Sequence, residues 1–196
     1  MKATQIAIFA SGAGSNAKRI ITYFRNHSAV TVALIITNNA NAGVIDVANQ
    51  TDTPFVVMDN TDFISGDDLL DVLREHCIHW IILAGFLRKI PIKLISEYQD
   101  KILNIHPSLL PKYGGKGMYG DHVHQAVLAA KETQTGISIH YVTANYDEGA
   151  LIAQFFASLT PSESLDSIKR KVQHLEQTYF PLVIEQVIAQ KESELC

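Results

Sequence analysis

Cysteine is scarce in this 196-residue chain, which has only Cys77 and Cys196, at no spacing that would make a disulfide framework or a zinc knuckle. A reducing compartment is expected. Long apolar runs are also missing. Nowhere do eighteen apolar residues follow one another, and the first apolar run, residues 6–10, is shorter than a signal-peptide core and meets Ser11 and Gly12 at once. The chain therefore reads as a soluble cytoplasmic protein with no membrane partner. Positive charge is not in excess: 16 basic and 20 acidic residues leave a net charge of −4. No general attraction to nucleic acid is expected, and an anionic ligand would need a local site. There is no pair of ligands at metal spacing, no Gly-x-Ser-x-Gly elbow and no internal repeat. His122 and His124, two apart in a helical stretch, do not share a face, so they are not expected to hold a metal.

What is present is apolar sequence in a repeating order. At 47% hydrophobic content the chain can bury one good core, and a single domain over residues 1–190 is expected, followed by a frayed tail over residues 191–196. Residues 5–10 form a compact apolar strand, residues 11–16 a glycine-bearing turn, and Ile20, Ile21 and Phe24 mark one helical stripe. Strand and helix signals then alternate. Residues 30–37, 54–58 and 79–84 read as strands, residues 44–50, 66–76 and 92–97 as helices, and residues 102–106 as a central strand. Strand 79–84 is apolar almost throughout, as in a parallel sheet covered on both faces. The fold class expected is α/β: a doubly wound, mostly parallel sheet of Rossmann-like type. Residues 135–142 alternate as a half-buried strand, and residues 150–159 return beside it, so this pair is expected to be antiparallel. Residues 164–190 give a long amphipathic helix that Pro181 kinks or divides.

Three stretches carry chemistry. Ser11-Gly12-Ala13-Gly14-Ser15-Asn16 lets backbone amides approach an anion at a helix start, with Ser15 or Asn16 as an alternative N-cap. The same residues match the looser dinucleotide fingerprint Gly12-x-Gly14-x-x-Ala17, but the second strand ends in Asn38-Asn39 instead of an acid, which favours a single phosphate. Asn104 and His106, two apart at the end of the central strand, project from one face and could hold a developing oxyanion. Four glycines at 114, 115, 117 and 120 suggest a loop of unusual dihedrals, possible as a lid or as inert surface, with Asp121 capping the next helix. Asp147 and Glu148 sit at a turn, where solvated acids are the ordinary expectation. Ser138 and His140 share one strand face.

Taken together, Ser11-Gly12-x-Gly14-Ser15-Asn16, Leu83-Ala84-Gly85-Phe86-Leu87-Arg88, the stretch Asn104-Ile105-His106-Pro107-Ser108-Leu109-Leu110-Pro111, and Gly136-x-Ser138-x-His140 followed by Asp147-x-Gly149 resemble the folate-dependent glycinamide ribonucleotide formyltransferases. The resemblance runs from residue 5 to about 187. It implies a catalytic trio of Asn104, His106 and Asp147, with Ser138 and His140 in support. It implies ribonucleotide binding by Gly12, Ala13, Gly14, Ser15, Asn16 and Glu176. Arg88, Lys89, Ile90, Thr143, Ala144, Asn145, Tyr146 and Asp147 are implied as walls of a folate pocket. On this basis residues 1–100 are the ribonucleotide-binding half and residues 101–190 the catalytic and folate-binding half. Two departures stand out: Ala13 replaces an asparagine common in the family, and residues 114–122 are longer and richer in glycine.

The activity implied is formyl transfer from the co-substrate 10-formyltetrahydrofolate to the amine of glycinamide ribonucleotide, in purine biosynthesis, by a monomer or homodimer that needs no metal. Two alternatives differ in kind. Another 10-formyltetrahydrofolate enzyme, a hydrolase or an aminoacyl-tRNA formyltransferase, would share the central motif. A non-catalytic nucleotide-binding module would use the glycine turn alone.

Overall fold

The computed structural model describes residues 3–194. The chain divides into two units, the first ending at Asn104 and the second starting at Ile105.

In the first unit strands and helices alternate: β1 (Thr4–Phe9), α1 (Ser15–Phe24), β2 (Val30–Thr37), α2 (Val44–Thr51), β3 (Phe55–Val57), α3 (Asp62–Ser65), α4 (Asp67–Glu75), β4 (Trp80–Leu83), α5 (Ile92–Glu97) and β5 (Ile102–His106), whose last two residues lie past the division. The strands pair in parallel in the order β3-β2-β1-β4-β5. The core sits on β1, where Ile6, Ala7, Ile8 and Phe9 are all fully buried. Alternate residues point to opposite faces, so both faces of the strand are covered. From β1 the chain steps outward to β2 and β3, then returns to the other side of β1. Right-handed crossovers therefore place α1 and α2 on one face and α4 and α5 on the other, which is the doubly wound arrangement. The order reverses between β1 and β4, where Phe9 pairs with Leu83, and Leu83 pairs with Asn104. The carboxyl ends of these three strands meet where open α/β sheets form ligand crevices.

Local sequence explains the helices and one exception. Ala17, Ile20, Ile21 and Phe24 are the buried stripe of α1. Its cap, however, is neither Ser15 nor Asn16 but Gly14, at φ 77 and with no side-chain bond. A Cβ at that position would lie 2.8 Å from Cα of Val44, so the left-handed backbone and the close approach of α2 both require glycine. The four-residue helix α3 was not legible in the sequence.

The second unit contains α6 (Asp121–Ala129), β6 (Gln134–Tyr141), β7 (Leu151–Ser158) and α7 (Leu165–Glu194). The two strands pair antiparallel, as expected, with Gly136 opposite Phe156 and Ser138 opposite Gln154. Helix α7 lays Ile168, Val172, Leu175, Phe180 and Ile184 into the core. The Tyr179 ring stacks on Phe155 with centroids 3.8 Å apart and planes 6° from parallel. Strand β6 departs from the expectation of half burial: every residue from Thr135 to His140 is buried, because α7 packs on the pair and the turn at residues 108–110 bonds to Ser138.

Three further differences concern helix ends. Asp121 does not cap α6 by its side chain; Gly120 precedes the helix, and the Asp121 carboxylate instead accepts from Lys169 of α7 at 2.7 Å. Pro181 lies inside α7 without dividing it. The same helix takes in residues 191–194, where a frayed tail was expected, with Lys191 paired to Glu194. The rest of that stretch, including Cys196, lies outside the described residues. Among the described residues no helix is long and apolar enough to cross a membrane, and no group of three or more His, Cys, Asp or Glu side chains is placed to hold a metal ion.

Candidate active site

In the first unit, one hydroxyl ties the loops at the strand ends. Ser11 follows β1; its Oγ donates to Oδ1 of Asn38 at 2.7 Å and accepts the Leu87 N–H at 3.0 Å. Its amide donates to the Gly85 carbonyl at 3.1 Å. The place where a dinucleotide-binding chain presents an acid is thus taken by Asn38, bonded to Ser11 and to Asn60. In the glycine loop Gly12, Ala13 and Ser15 are exposed, while Gly14 and Asn16 are buried. The amides at the start of this ten-residue helix suit an anion. In the loop after β4, Phe86 belongs to the core, edge-on to Phe9 with centroids 5.4 Å apart. Leu87, Arg88 and Lys89 are exposed and Ile90 is buried.

Asn104 and His106 end β5, and strand alternation puts both on one face. In the second unit His106, Asp147 and His140 form a line in which both rings are buried and the carboxylate between them is half-buried. Nδ1 of His106 lies 3.5 Å from Oδ2 of Asp147, and Nε2 of His140 lies 3.6 Å from Oδ1. Both rings are turned by carbonyls: Nε2 of His106 bonds the Tyr113 oxygen at 2.7 Å, and Nδ1 of His140 bonds the Tyr141 oxygen at 2.7 Å. A carbonyl only accepts, so each of these nitrogens carries a proton and the opposite nitrogen faces the carboxylate. Asp147 is no solvated turn residue. Its side chain is 12% exposed, it adopts φ 56, and it accepts the Gly115 N–H at 2.9 Å.

The electrostatics follow from this geometry. Burial pushes the His106 pKa below its ordinary value; the Asp147 charge and the Tyr113 carbonyl pull it up, without overcoming burial. Asp147 thus raises the proton affinity of this ring, but desolvation outweighs it. For Asp147 burial pushes upward, yet the neighbouring His140 ring, the charge of His106 and the Gly115 amide together hold its carboxyl below the usual range.

Ser138 supports the turn after His106. Its hydroxyl donates to the Ser108 carbonyl at 2.6 Å and accepts from the Leu110 amide at 2.9 Å and from Gln154 at 2.8 Å. The glycine-rich loop has the unusual dihedrals foreseen for it: Tyr113, Gly115, Gly117 and Gly120 all have positive φ. Of the remaining positions, Thr143, Asn145 and Tyr146 are exposed and Ala144 is half-buried before Asp147, and Glu176 is half-buried on α7. Sequence reasoning missed Gln154 and the main-chain roles of Tyr113 and Gly115, which depend on contacts distant in the chain. His124, weighed in the sequence only as half of a metal pair, is buried on α6.

A family model described as formyl transferase matches residues 4–184. This chain belongs to the formyl transferase family. Within the family it is 32% identical over 189 residues to phosphoribosylglycinamide formyltransferase of Bacillus subtilis, covering 94% of each chain. It is 34% identical to the chloroplastic phosphoribosylglycinamide formyltransferase of Arabidopsis thaliana, of which it covers 64%. The chain thus spans less than two thirds of the length of that plant relative and nearly all of the bacterial one. Its fold superposes on the crystal structure of phosphoribosylglycinamide formyltransferase from Bacillus halodurans with a TM-score of 0.86, at 30% identity, covering 96% of this chain and 97% of that one.

Proposed function

We propose that this formyl transferase moves the formyl group of 10-formyltetrahydrofolate to the primary amine of glycinamide ribonucleotide, giving formylglycinamide ribonucleotide and tetrahydrofolate in purine biosynthesis in the cytoplasm. The observation that carries the proposal is the pairing of His106 with a half-buried, ionised Asp147. The amine attacks the formyl carbon; a C–N bond forms, and charge gathers on the formyl oxygen as the carbon becomes tetrahedral. The Asn104 amide donates to that oxygen, and one such donor is worth roughly 2.7–4 kcal/mol.

His106 starts neutral, with Nε2–H held by Tyr113, so Nδ1 is the site that takes a proton. That proton comes from the attacking amine. The imidazolium so formed is stabilised by Asp147 and adds its charge to the oxyanion site. Collapse breaks the bond to N10 of the folate, which receives the proton. One proton has moved from the amine to the leaving nitrogen, and no external oxidant or reductant is required.

In this reading the loop amides of residues 12–16 in the first unit take the ribonucleotide phosphate, and Glu176 in the second unit is a ribonucleotide-binding acid. Residues 88–90 and 143–147 take the folate, largely through main chain. The test is a spectroscopic assay of tetrahydrofolate release with and without glycinamide ribonucleotide. Release that requires the ribonucleotide supports the proposal; release in water alone points to a hydrolase, and release in neither mixture points to a binding module.

A further inference from the structure

Glu132 stands between α6 and β6, in none of the motifs above, and its Oε1 accepts two hydrogen bonds: from the Tyr113 hydroxyl at 2.8 Å and from Nζ of Lys112 at 2.8 Å. Both donors lie in the segment that faces the buried pair. Tyr113 has φ 57, a left-handed backbone that a bulky side chain adopts only when something holds it there. Its carbonyl is the acceptor for Nε2 of His106, and two residues later the Gly115 amide donates to Asp147. The peptide before Tyr113 is pinned independently, by the Ser108 hydroxyl on the Lys112 carbonyl at 2.6 Å. The Tyr113 side chain therefore depends on Glu132, while its main chain sets the catalytic imidazole.

We propose that Glu132 is a positioning residue for the formyl transfer: by clamping the Tyr113 hydroxyl and Lys112 it locks Tyr113 in its left-handed conformation, which fixes His106 in the Nε2–H tautomer and seats Gly115 on Asp147. The inference rests on the role given to His106 under Proposed function. The groups whose charge reaches His106 are Asp147 and His140, with His124 interacting from α6. Those facing Glu132 are Lys112 and Tyr113. None of them duplicates the brace.

The test reads the His106 ring directly, by nitrogen-15 NMR of its tautomer and titration in wild type, Glu132→Ala, Glu132→Gln and Tyr113→Phe, beside kcat and KM for each substrate. The wild type is expected in the Nε2–H tautomer alone. Glu132→Ala is expected to show both tautomers and to lose roughly tenfold to a hundredfold in kcat, with KM values moving less than about threefold, as for a misplaced catalytic group. Glu132→Gln keeps an acceptor for the Tyr113 hydroxyl and is expected to recover most of the loss. Tyr113→Phe, which loses only the hydroxyl, is expected to reproduce the tautomer mixture and serves if Glu132→Ala does not fold. A wild-type tautomer in folded Glu132→Ala or in Tyr113→Phe overturns the brace, whatever the activity. Full turnover by His106→Ala would instead overturn the role of His106 and leave the NMR result standing.

Discussion

Oδ2 of Asp147 lies 3.5 Å from Nδ1 of His106, within reach of an ion pair but longer than a strong hydrogen bond. The same oxygen accepts the Gly115 amide at 2.9 Å. A proton taken up at Nδ1 would draw the two side chains together.

His106→Ala and Asn104→Ala should each lower kcat by about a hundredfold to a thousandfold, the loss associated with one oxyanion donor, with little change in folding. Stopped-flow turnover beside circular dichroism checks this. A near-normal rate in either folded variant contradicts the assignment.

Asp147→Asn removes the charge that opposes desolvation at His106. The His106 pKa, already below its ordinary value, should fall further, so the imidazolium becomes rarer at every pH near neutrality. Proton NMR of the ring reads the shift, and a pKa that rises on removal of the carboxylate would show that its charge does not act on this ring.

Glu163 accepts from Lys171 at 2.7 Å and from the Thr160 amide at 3.1 Å. The bonds from Lys171, Ser167 and Thr160, in that order, lower its pKa from 4.5 to about 2. A depressed carboxyl stabilises the fold above its unfolded pKa and loses that contribution as pH falls through the folded value. Glu163→Gln should therefore be destabilising above about pH 4.5 and match wild type near pH 2. Chemical denaturation across that range checks it; a stability difference that persists unchanged at pH 2 would contradict the ion-pair account.

A Cβ at Gly149 would strike the Tyr141 carbonyl, in the turn that carries Asp147. Gly149→Ala should cost about 1–3 kcal/mol of stability by overpacking and displace the carboxylate. Thermal unfolding and kcat should fall together, whereas full activity at reduced stability would show that Asp147 tolerates a shifted turn.

Much of the fold was legible because the signals were local. The apolar run at residues 30–37 becomes β2 at the same bounds, and Asn104 and His106 share a face through strand alternation alone. Where long-range contacts decide, sequence reasoning stopped short. Asp147 looks like a solvated turn acid until Gly115, 32 residues away, bonds to it and His106 and His140 flank it. Strand β6 alternates as if one face met water, yet the turn near Ser108 bonds to Ser138 from across the unit. The α1 cap went to Gly14 because Val44 of another helix leaves no room for a side chain. Glu132 carries no motif, since its partners lie 19 and 20 residues earlier.

The central claim is direct transfer of the formyl group to an amine. The most direct measurement follows carbon-13 in the formyl group of 10-formyltetrahydrofolate by NMR, in one turnover with glycinamide ribonucleotide. The account predicts that the label appears in the amide of the formylated ribonucleotide, and that the transfer nearly stops in Asp147→Asn. Label recovered as formate, or remaining on the folate with the wild-type protein, would contradict it.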